Sequence, residues 1–411
     1  MTELSSTVAI VLGWNYSTTL GIVRSLGLAG LTVDLYYIAK APGDSRITAS
    51  SKYLRRTVEH IGRDDEQIVA DLENRYAGED ARCVLIPTDD YTASLVDRHY
   101  DRLSARFLMP HIGAGEEGAL TRLMDKTRQS AIARSFDIPM AWLTTVFLPE
   151  SGEIRIPDEI RYPCFVKPKA SLEGWKTEMR KDNNEAELRA HLAKMRNSRS
   201  GRNVIIQDFI DIDEEFSISG LCIDQTVILP ALLQRLYVGK YERGVTIVGK
   251  LVSLEAHVPF AAQLKEMLKS LHYTGLFSID LVRSGDRLYF SEINLRCAGS
   301  IYGYVKAGAN LPALFVKSLL GESWQPAEAE VTYGKTFFYD KVGWEDLIRG
   351  KCSHKEFKHY LAVSDYTFMK DADDPVPGAL LYADMGKRYR KNRIVQMIPL
   401  YSWVRKHLKK R

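Results

Sequence analysis

Residues 277–298 read FSIDLVRSGDRLYFSEINLRCA. Phe277–Val282 and Leu288–Leu295 have strand composition, and Arg283-Ser284-Gly285-Asp286-Arg287 is a polar turn with the glycine that a tight hairpin needs. Asp280, Glu292 and Asn294 share parity, so an even cross-strand register puts all three on one face. Asp280 and Glu292 are then expected roughly 7–8 Å apart at the backbone, near enough to share a cation. Ile279, Leu281, Ile293 and Leu295 cover the other face. Two carboxylates and an amide oxygen on a rigid hairpin suit Mg²⁺, with two ions expected and Mn²⁺ as a substitute. The alternative is a solvent-facing hairpin with ordinary polar alternation.

The chain of 411 residues is longer than one core organises, so two or three domains are expected. Hydrophobic residues make up 45% and charged residues 26%, the balance of a soluble globular protein. Five cysteines stand apart without CxxC spacing, which argues against a disulfide framework or zinc site and for a reducing cytosol. The opening MTELSSTVAIVLGW lacks a signal peptide's basic region, and no run reaches the roughly 18 apolar residues of a membrane span. The net charge is +4, but residues 387–411 hold ten Lys or Arg and no acid, leaving the first 386 residues at −6. The basicity belongs to a tail, and no nucleic-acid partner is expected.

Val8–Gly13, a helical pattern over Thr18–Ala29 and Thr32–Tyr37 form a βαβ unit, which predicts a parallel sheet. The glycine pattern of a dinucleotide fingerprint is absent after Gly13. Val84–Pro87 is a further strand. Thr88-Asp89-Asp90 stands at its carboxyl end, either as a ligand loop or as the cap of the next helix. Leu120–Phe136 reads as one helix containing Lys126. In Cys164–Lys169 a strand carries Lys167 inside its apolar run, and a lysine there needs an anionic partner. Antiparallel strands mixed with helices follow, an α+β region unlike the start. Gly334-Lys335-Thr336 imitates the end of a P-loop, but Ala329 stands where its first glycine belongs.

Lysines for polyphosphate, a strand linker for a purine, a later acid for ribose and an acidic hairpin for magnesium occur in that order. In this order they resemble the ATP-grasp superfamily of carboxylate–amine ligases, over roughly residues 5–320. The resemblance implies a Rossmann-like α/β domain over residues 1–115 and α+β ATP-grasp domains over 116–330. Within the latter a lid covers about 140–210 and a catalytic part about 211–330, and 331–411 is a C-terminal extension with the basic tail. It implies that Lys126 and Lys167 bind phosphates, that the backbone of Gln207, Asp208, Phe209 and Ile210 meets adenine, and that Glu215 binds ribose. Asp280, Glu292 and Asn294 correspond to the magnesium ligands, and Arg296 to the arginine that steadies the transferred phosphoryl group and acyl phosphate. Arg296 and Lys167 are thus the catalytic candidates. The loop Ala170–Lys176 holds one glycine where many relatives have a glycine-rich phosphate cover. Its KP-x-x-S-x-E-x-W-K form is similar to D-aspartate ligases of the bacterial cell wall.

The implied activity is ATP-dependent amide formation through an acyl phosphate, joining an amino acid to a peptide or peptidoglycan-precursor acceptor. A dipeptide or specialised-metabolite amide ligase is the alternative, and a non-catalytic nucleotide-binding protein is another. For the substrate, Ser300 is a contact or a helix N-cap. Arg235, Tyr237, Lys240 and Arg243 form a basic loop, either a solvated tip or a reader of an acidic substrate. Trp175 stacks on a ligand or plugs the lid. Ile394–Val404 lies on an anionic membrane surface or packs on the body. The expected setting is the cytoplasm, with attachment at the inner membrane face and a homodimer both compatible with the sequence.

Overall fold

The computed structural model describes residues 7–79, 81–169, 179–197, 202–242 and 244–397. The first unit comprises β1 (Thr7–Gly13), α1 (Tyr16–Leu28), β2 (Thr32–Ala39), α2 (Arg46–Ala49), β3 (Leu54–Ile61), α3 (Asp65–Tyr76), β4 (Arg82–Pro87), α4 (Asp90–Arg98), α5 (Tyr100–Ser104) and β5 (Phe107–Leu108). Every residue of β1 is buried, as a strand covered on both faces requires. The five strands pair in parallel in the order β3-β2-β1-β4-β5. Asn15 opens α1 by accepting a hydrogen bond from Ser17 N, which starts the helix two residues before the apolar pattern does.

A connecting segment holds β6 (His111–Ile112), α6 (Ala119–Leu123) and α7 (Lys126–Ser135). The single helix expected over Leu120–Phe136 is broken at Met124-Asp125, because Asp125 accepts from Thr127 N at 2.8 Å and starts a new helix. Lys126 is therefore the first residue of α7. The next unit is a four-stranded antiparallel sheet, β7 (Leu143–Phe147), β8 (Cys164–Pro168), β9 (Arg180–Asp182) and β10 (Asn203–Asp208), in the order β7-β10-β8-β9, with α8 (Glu185–Arg196). Its core is drawn from its own residues, among them Val146, Val166, Leu188, Leu192 and Ile206.

The remaining elements are β11 (Glu214–Ile223), β12 (Thr226–Ile228), β13 (Leu232–Val238), β14 (Thr246–Val252), α9 (Ala261–Ser270), β15 (Tyr273–Ser284), β16 (Arg287–Asn294), α10 (Ile301–Lys306), α11 (Leu311–Leu319), β17 (Thr336–Phe338), α12 (Asp340–Ile348), α13 (His354–Ala362), β18 (Tyr366–Thr367) and α14 (Pro375–Met397). They build the large sheet β16-β15-β11-β13-β14-β17-β18, with β12 and β6 on its margins. Arg235 and Tyr237 lie within β13, so the basic loop expected there shrinks to the turn after Val238. Val11, Ile22, Leu276, Leu311 and Phe315 share one core, which fuses the parallel sheet to the large one. The C-terminal helices are clamped to α1 by buried Arg24, which donates to Asp374 Oδ2 at 2.9 Å and to the carbonyls of Phe368 and Met369. No helix among the described residues is long and apolar enough to cross a membrane. The side chains from Ile394 onward and all of 398–411 lie outside the described residues, and with them the expected surface contact of the tail.

Candidate active site

The β15–β16 turn is Gly285-Asp286, with Ser284 paired to Arg287. Gly285 has φ 55°, a first-position conformation that glycine adopts without strain. Continued without interruption, this turn would set Asp280 opposite Ser291, since Leu281 pairs with Phe290. A bulge absorbs Ser291, and beyond it Asp280 pairs with Glu292 and Ser278 with Asn294. Packing explains the bulge. Leu288, Phe290, Ile293 and Leu295 all enter one core, although their parities differ, and one extra residue reconciles them. The even register expected from parity therefore holds at the acids and not at the turn. The expected spacing is corrected too: Asp280 and Glu292 are direct partners, with Cβ atoms about 4.5–5.5 Å apart rather than diagonal neighbours.

On β11, Ser217 stands opposite Asp280 and Glu215 opposite Val282. Leu233 pairs with Ser217, so Arg235 two residues on shares that face. Arg235 Nη1 lies 2.7 Å from Glu215 Oε2 and Nη2 lies 2.5 Å from Asp280 Oδ1. Its side chain is 12% exposed, which takes Arg235 out of the solvated tip, while Tyr237 and Lys240 remain exposed. Arg235 Nε is buried without a hydrogen-bond partner among the described residues.

Lys126 comes to the hairpin from α7, with Nζ 2.6 Å from Glu292 Oε2. One turn later Gln129 imitates a strand: it donates to Ile293 O at 2.8 Å and accepts from Ile293 N at 3.1 Å. These two bonds fix the start of α7 beside the acids. Lys167, on β8, is buried, and its ammonium forms no ion pair or hydrogen bond among the described residues. Burial, with repulsion from Lys126, pulls its ammonium down to about 8, against the attraction of Glu292. Burial pushes Glu292 upward, but Lys126, Lys167 and Arg296 outweigh it and hold the carboxyl at about 2. Asp280 goes the other way: burial raises it by more than Arg235 lowers it, and repulsion from Glu292 adds to the rise. The pair thus consists of one firmly ionised acid and one acid held up by its surroundings.

At the other end of the sheet Asp208 N donates to Trp142 O at 3.0 Å and Phe209 N to Pro163 O at 3.2 Å. Gln207 lies within β10, paired to Phe165 and Leu143. Of Gln207–Ile210, the N–H groups of Asp208 and Phe209 are thus already used within the protein. A polar cleft of about 330 Å³ runs from Ile212 past Glu215 to Arg235 and Val238. Ser300 precedes α10 but makes no side-chain cap; its Oγ lies 3.3 Å from Ser219 Oγ. Arg243, Trp175 and the loop Ala170–Lys176 lie outside the described residues.

Arg296, beyond Asn294, is met from the parallel sheet: its Nε donates to Asp90 Oδ1 at 2.7 Å. Asp89 caps α4, accepting from Thr92 N at 3.1 Å. The cap alternative for Thr88-Asp89-Asp90 is thus realised by Asp89, while Asp90 pairs with Arg296. The Asp90–Arg296 contact spans 206 positions, and only the placement of Asp90 after an apolar strand signalled it. Among the described residues no three His, Cys, Asp or Glu side chains form a metal-holding group. The oxygen set on the hairpin is two carboxylates and one amide.

Residues 203–337 match the family model described as ATP-grasp in the biosynthetic pathway with Ter operon. Over 231 residues, 56% of this chain, the sequence is 25% identical to the carbamoyl phosphate synthase large chain of Pseudomonas putida. The chain spans only 20% of that relative's length. The L-amino acid ligase from Bacillus licheniformis is similar in structure, with TM-score 0.60, 15% identity and coverage of 80% of this chain and 78% of that one. The biotin carboxylase domain dimer of Hydrogenobacter thermophilus 2-oxoglutarate carboxylase, in complex with MgADP, ADP and bicarbonate, is similar with TM-score 0.59, 16% identity and coverage of 80% and 73%.

Proposed function

The chain has the ATP-grasp fold, and on that premise we propose that it is an ATP-dependent ligase joining a carboxylate to an amine. The observation that carries the reading is the convergence of Lys126, Lys167, Asp280, Glu292 and Arg296, from separate elements, on one end of the large sheet. Lys167 and Lys126 hold the phosphates of ATP, Gln207–Ile210 flank its purine, and Glu215 binds its ribose. Asp280, Glu292 and Asn294 fit Mg²⁺ by donor type, since hard oxygens on one face are what it requires. Bound there, magnesium would neutralise phosphate charge as the phosphoryl group moves.

The γ-phosphoryl group passes to a substrate carboxylate, giving an acyl phosphate and ADP. The amine nitrogen then attacks the acyl carbon, the C–O bond to phosphate breaks, and inorganic phosphate and a proton leave. Arg296 steadies the acyl phosphate, and the four-stranded sheet with Lys167 excludes water over it. The favoured pair is an amino acid and a peptide or peptidoglycan-precursor acceptor. The biosynthetic setting in the family description supports a second acceptor class, a small-molecule amine.

The test is release of ADP and phosphate from Mg-ATP across a panel of amino acids and acceptor amines. Release should require both partners and disappear in Lys167→Ala and Glu292→Ala. Turnover that survived both substitutions would overturn the roles, and failure to bind ATP would overturn the reading.

A further inference from the structure

We propose that the end of α14 and the α12–α13 turn beside it form a docking surface for an anionic phospholipid bilayer. This attachment is independent of the ligase reading and adds a place of action to it.

Residues 387–393 read KRYRKNR and residues 349–355 read RGKCSHK, with no acid in either stretch. The fold joins them. Tyr389 Oη lies 2.7 Å from His354 Nε2, and Asn392 Nδ2 donates to Ile348 O at 2.6 Å. The turn between α12 and α13 therefore runs beside the last turns of α14. The acids of these three helices are already engaged. Asp340 is buried and accepts from Met369 N at 3.0 Å. Glu345 holds Arg388 and Arg349 with a side chain only 9% exposed. Asp346 accepts from the N–H groups of Lys240 and Tyr241, Glu356 from Ser353 N and Lys240 Nζ, and Asp384 pairs with Arg46. Lys351, Lys355, Lys387, Arg390, Lys391 and Arg393 are exposed and form no ion pair among the described residues.

Helix stabilisation does not account for these cations. A positive charge is favourable in the last turn of a helix, and the last turn of α14 holds none. Lys355 stands in the first turn of α13, where the helix dipole opposes a cation. Like charges gathered without partners repel one another, and an external array of anions removes that cost. A cluster spread over two elements matches many anions on one surface better than a single small one. The sequence that follows decides between polyanions. Residues 394–404 read IVQMIPLYSWV, and RKHLKKR comes after them. The run is too short to span a bilayer. Aliphatic side chains gain nothing from a nucleic-acid backbone. At the boundary between headgroups and acyl chains, aliphatic side chains, Tyr401 and Trp403 are all favoured beside cations.

The experiment uses the full chain and vesicles of phosphatidylcholine, either alone or mixed with an equal part of phosphatidylglycerol. The protein should float with the mixed vesicles and not with phosphatidylcholine alone, and added salt should release it. The triple change Lys387→Gln, Arg390→Gln and Lys391→Gln should lower the partition coefficient about 100-fold, at roughly fivefold per cation near the surface. The double change Lys351→Gln and Lys355→Gln should lower it about 10- to 30-fold, although neither residue belongs to the tail. Thermal midpoints should hold in both variants, because no ion pair is removed. Arg134→Gln with Arg287→Gln, exposed cations of α7 and β16, should leave partition unchanged. Equal flotation with both kinds of vesicle, or with neither, would overturn the surface. Undiminished partition after the Lys351 and Lys355 changes would confine binding to the tail and overturn the part given to the fold. Tighter binding to duplex DNA or RNA than to the mixed vesicles at the same salt would assign the cations to nucleic acid and overturn the lipid.

Discussion

The four-stranded sheet and the large sheet each bring charge to one place, and they handle it in opposite ways. In the large sheet every acid already has a cation: Glu292 has Lys126, and Asp280 and Glu215 share Arg235. In the four-stranded sheet Lys167 is buried with no ion pair among the described residues. Their packing differs as well. The four-stranded sheet closes its own core, whereas the large sheet shares one with the parallel sheet and another with the C-terminal helices. A paired acid stabilises the fold it belongs to. A buried unpaired lysine weakens its fold and is retained for an anion that arrives later. On the proposed function, one sheet serves as a fixed floor, and the other as a piece whose buried lysine gains its electrostatic partner when ATP binds.

The largest effect that separates them is catalytic. Lys167→Ala should lower the turnover of Mg-ATP about 10²–10³-fold, the loss typical of one preorganised charge, while its thermal stability does not fall. Glu292→Ala should lower turnover at least as far and destabilise the protein. Loss of stability in Lys167→Ala would show that the lysine is structural and remove the contrast.

The next effect is a pH dependence of stability. Lys167 titrates at about 8 in the folded chain against an ordinary 10.5. The unfolded chain holds the proton more tightly, so the penalty is complete below pH 8 and lifts as pH rises toward 10.5. Its size is on the order of 3 kcal/mol. Lys167→Met should therefore stabilise the protein at neutral pH by up to that amount, and the gain should shrink through this alkaline window. Denaturant melts at several pH values check it, and a gain that did not vary with pH would contradict the buried cation.

Removing cations from the floor should do the reverse. Arg235→Ala leaves Glu215 and Asp280 without their partner and should cost about 1–3 kcal/mol, read from denaturant midpoints at neutral pH. It should also weaken ATP binding, since the cleft of about 330 Å³ is lined by Glu215 and Arg235. A neutral result would mean that the two acids find other donors.

How much of this contrast was legible in the sequence depends on distance along the chain. The acid face of the hairpin follows from parity over fifteen residues, and Lys167 from a charge inside an apolar run. The bulge at Ser291 was not legible, because it settles a conflict between a two-residue turn and a core that needs Phe290 and Ile293 together. Arg235 was misread as part of a loop. Its polar neighbours Gln234 and Tyr237 hide the strand, and its partners Glu215 and Asp280 lie 20 and 45 residues away. Gln129, which fixes α7 to Ile293 across 164 positions, gave no local signal at all. Local rules reach what a strand or helix does with its own residues and stop at what a distant element supplies.

The smallest effect tests the packing half of the comparison. Two asparagines cap helices in the same way: Asn184 accepts from Glu187 N at 2.9 Å to start α8, and Asn310 accepts from Ala313 N at 3.2 Å to start α11. Either change to alanine should cost about 1 kcal/mol through the lost cap. The two losses should spread differently. Because the buried residues of α8 pack, among the described residues, in the core of the four-stranded sheet, Asn184→Ala should reduce amide-exchange protection across residues 143–208 and leave β11, β15 and β1 unaltered. Asn310 also donates to Ser25 O at 2.7 Å, and α11 packs in the core shared by both larger sheets. Asn310→Ala should therefore lower protection in α1, β1 and β15 together and cost somewhat more than its cap alone. If Asn184→Ala loosened the large sheet as well, the four-stranded sheet would not be a separately stabilised piece, and the buried charge of Lys167 would have to be carried by the whole fold.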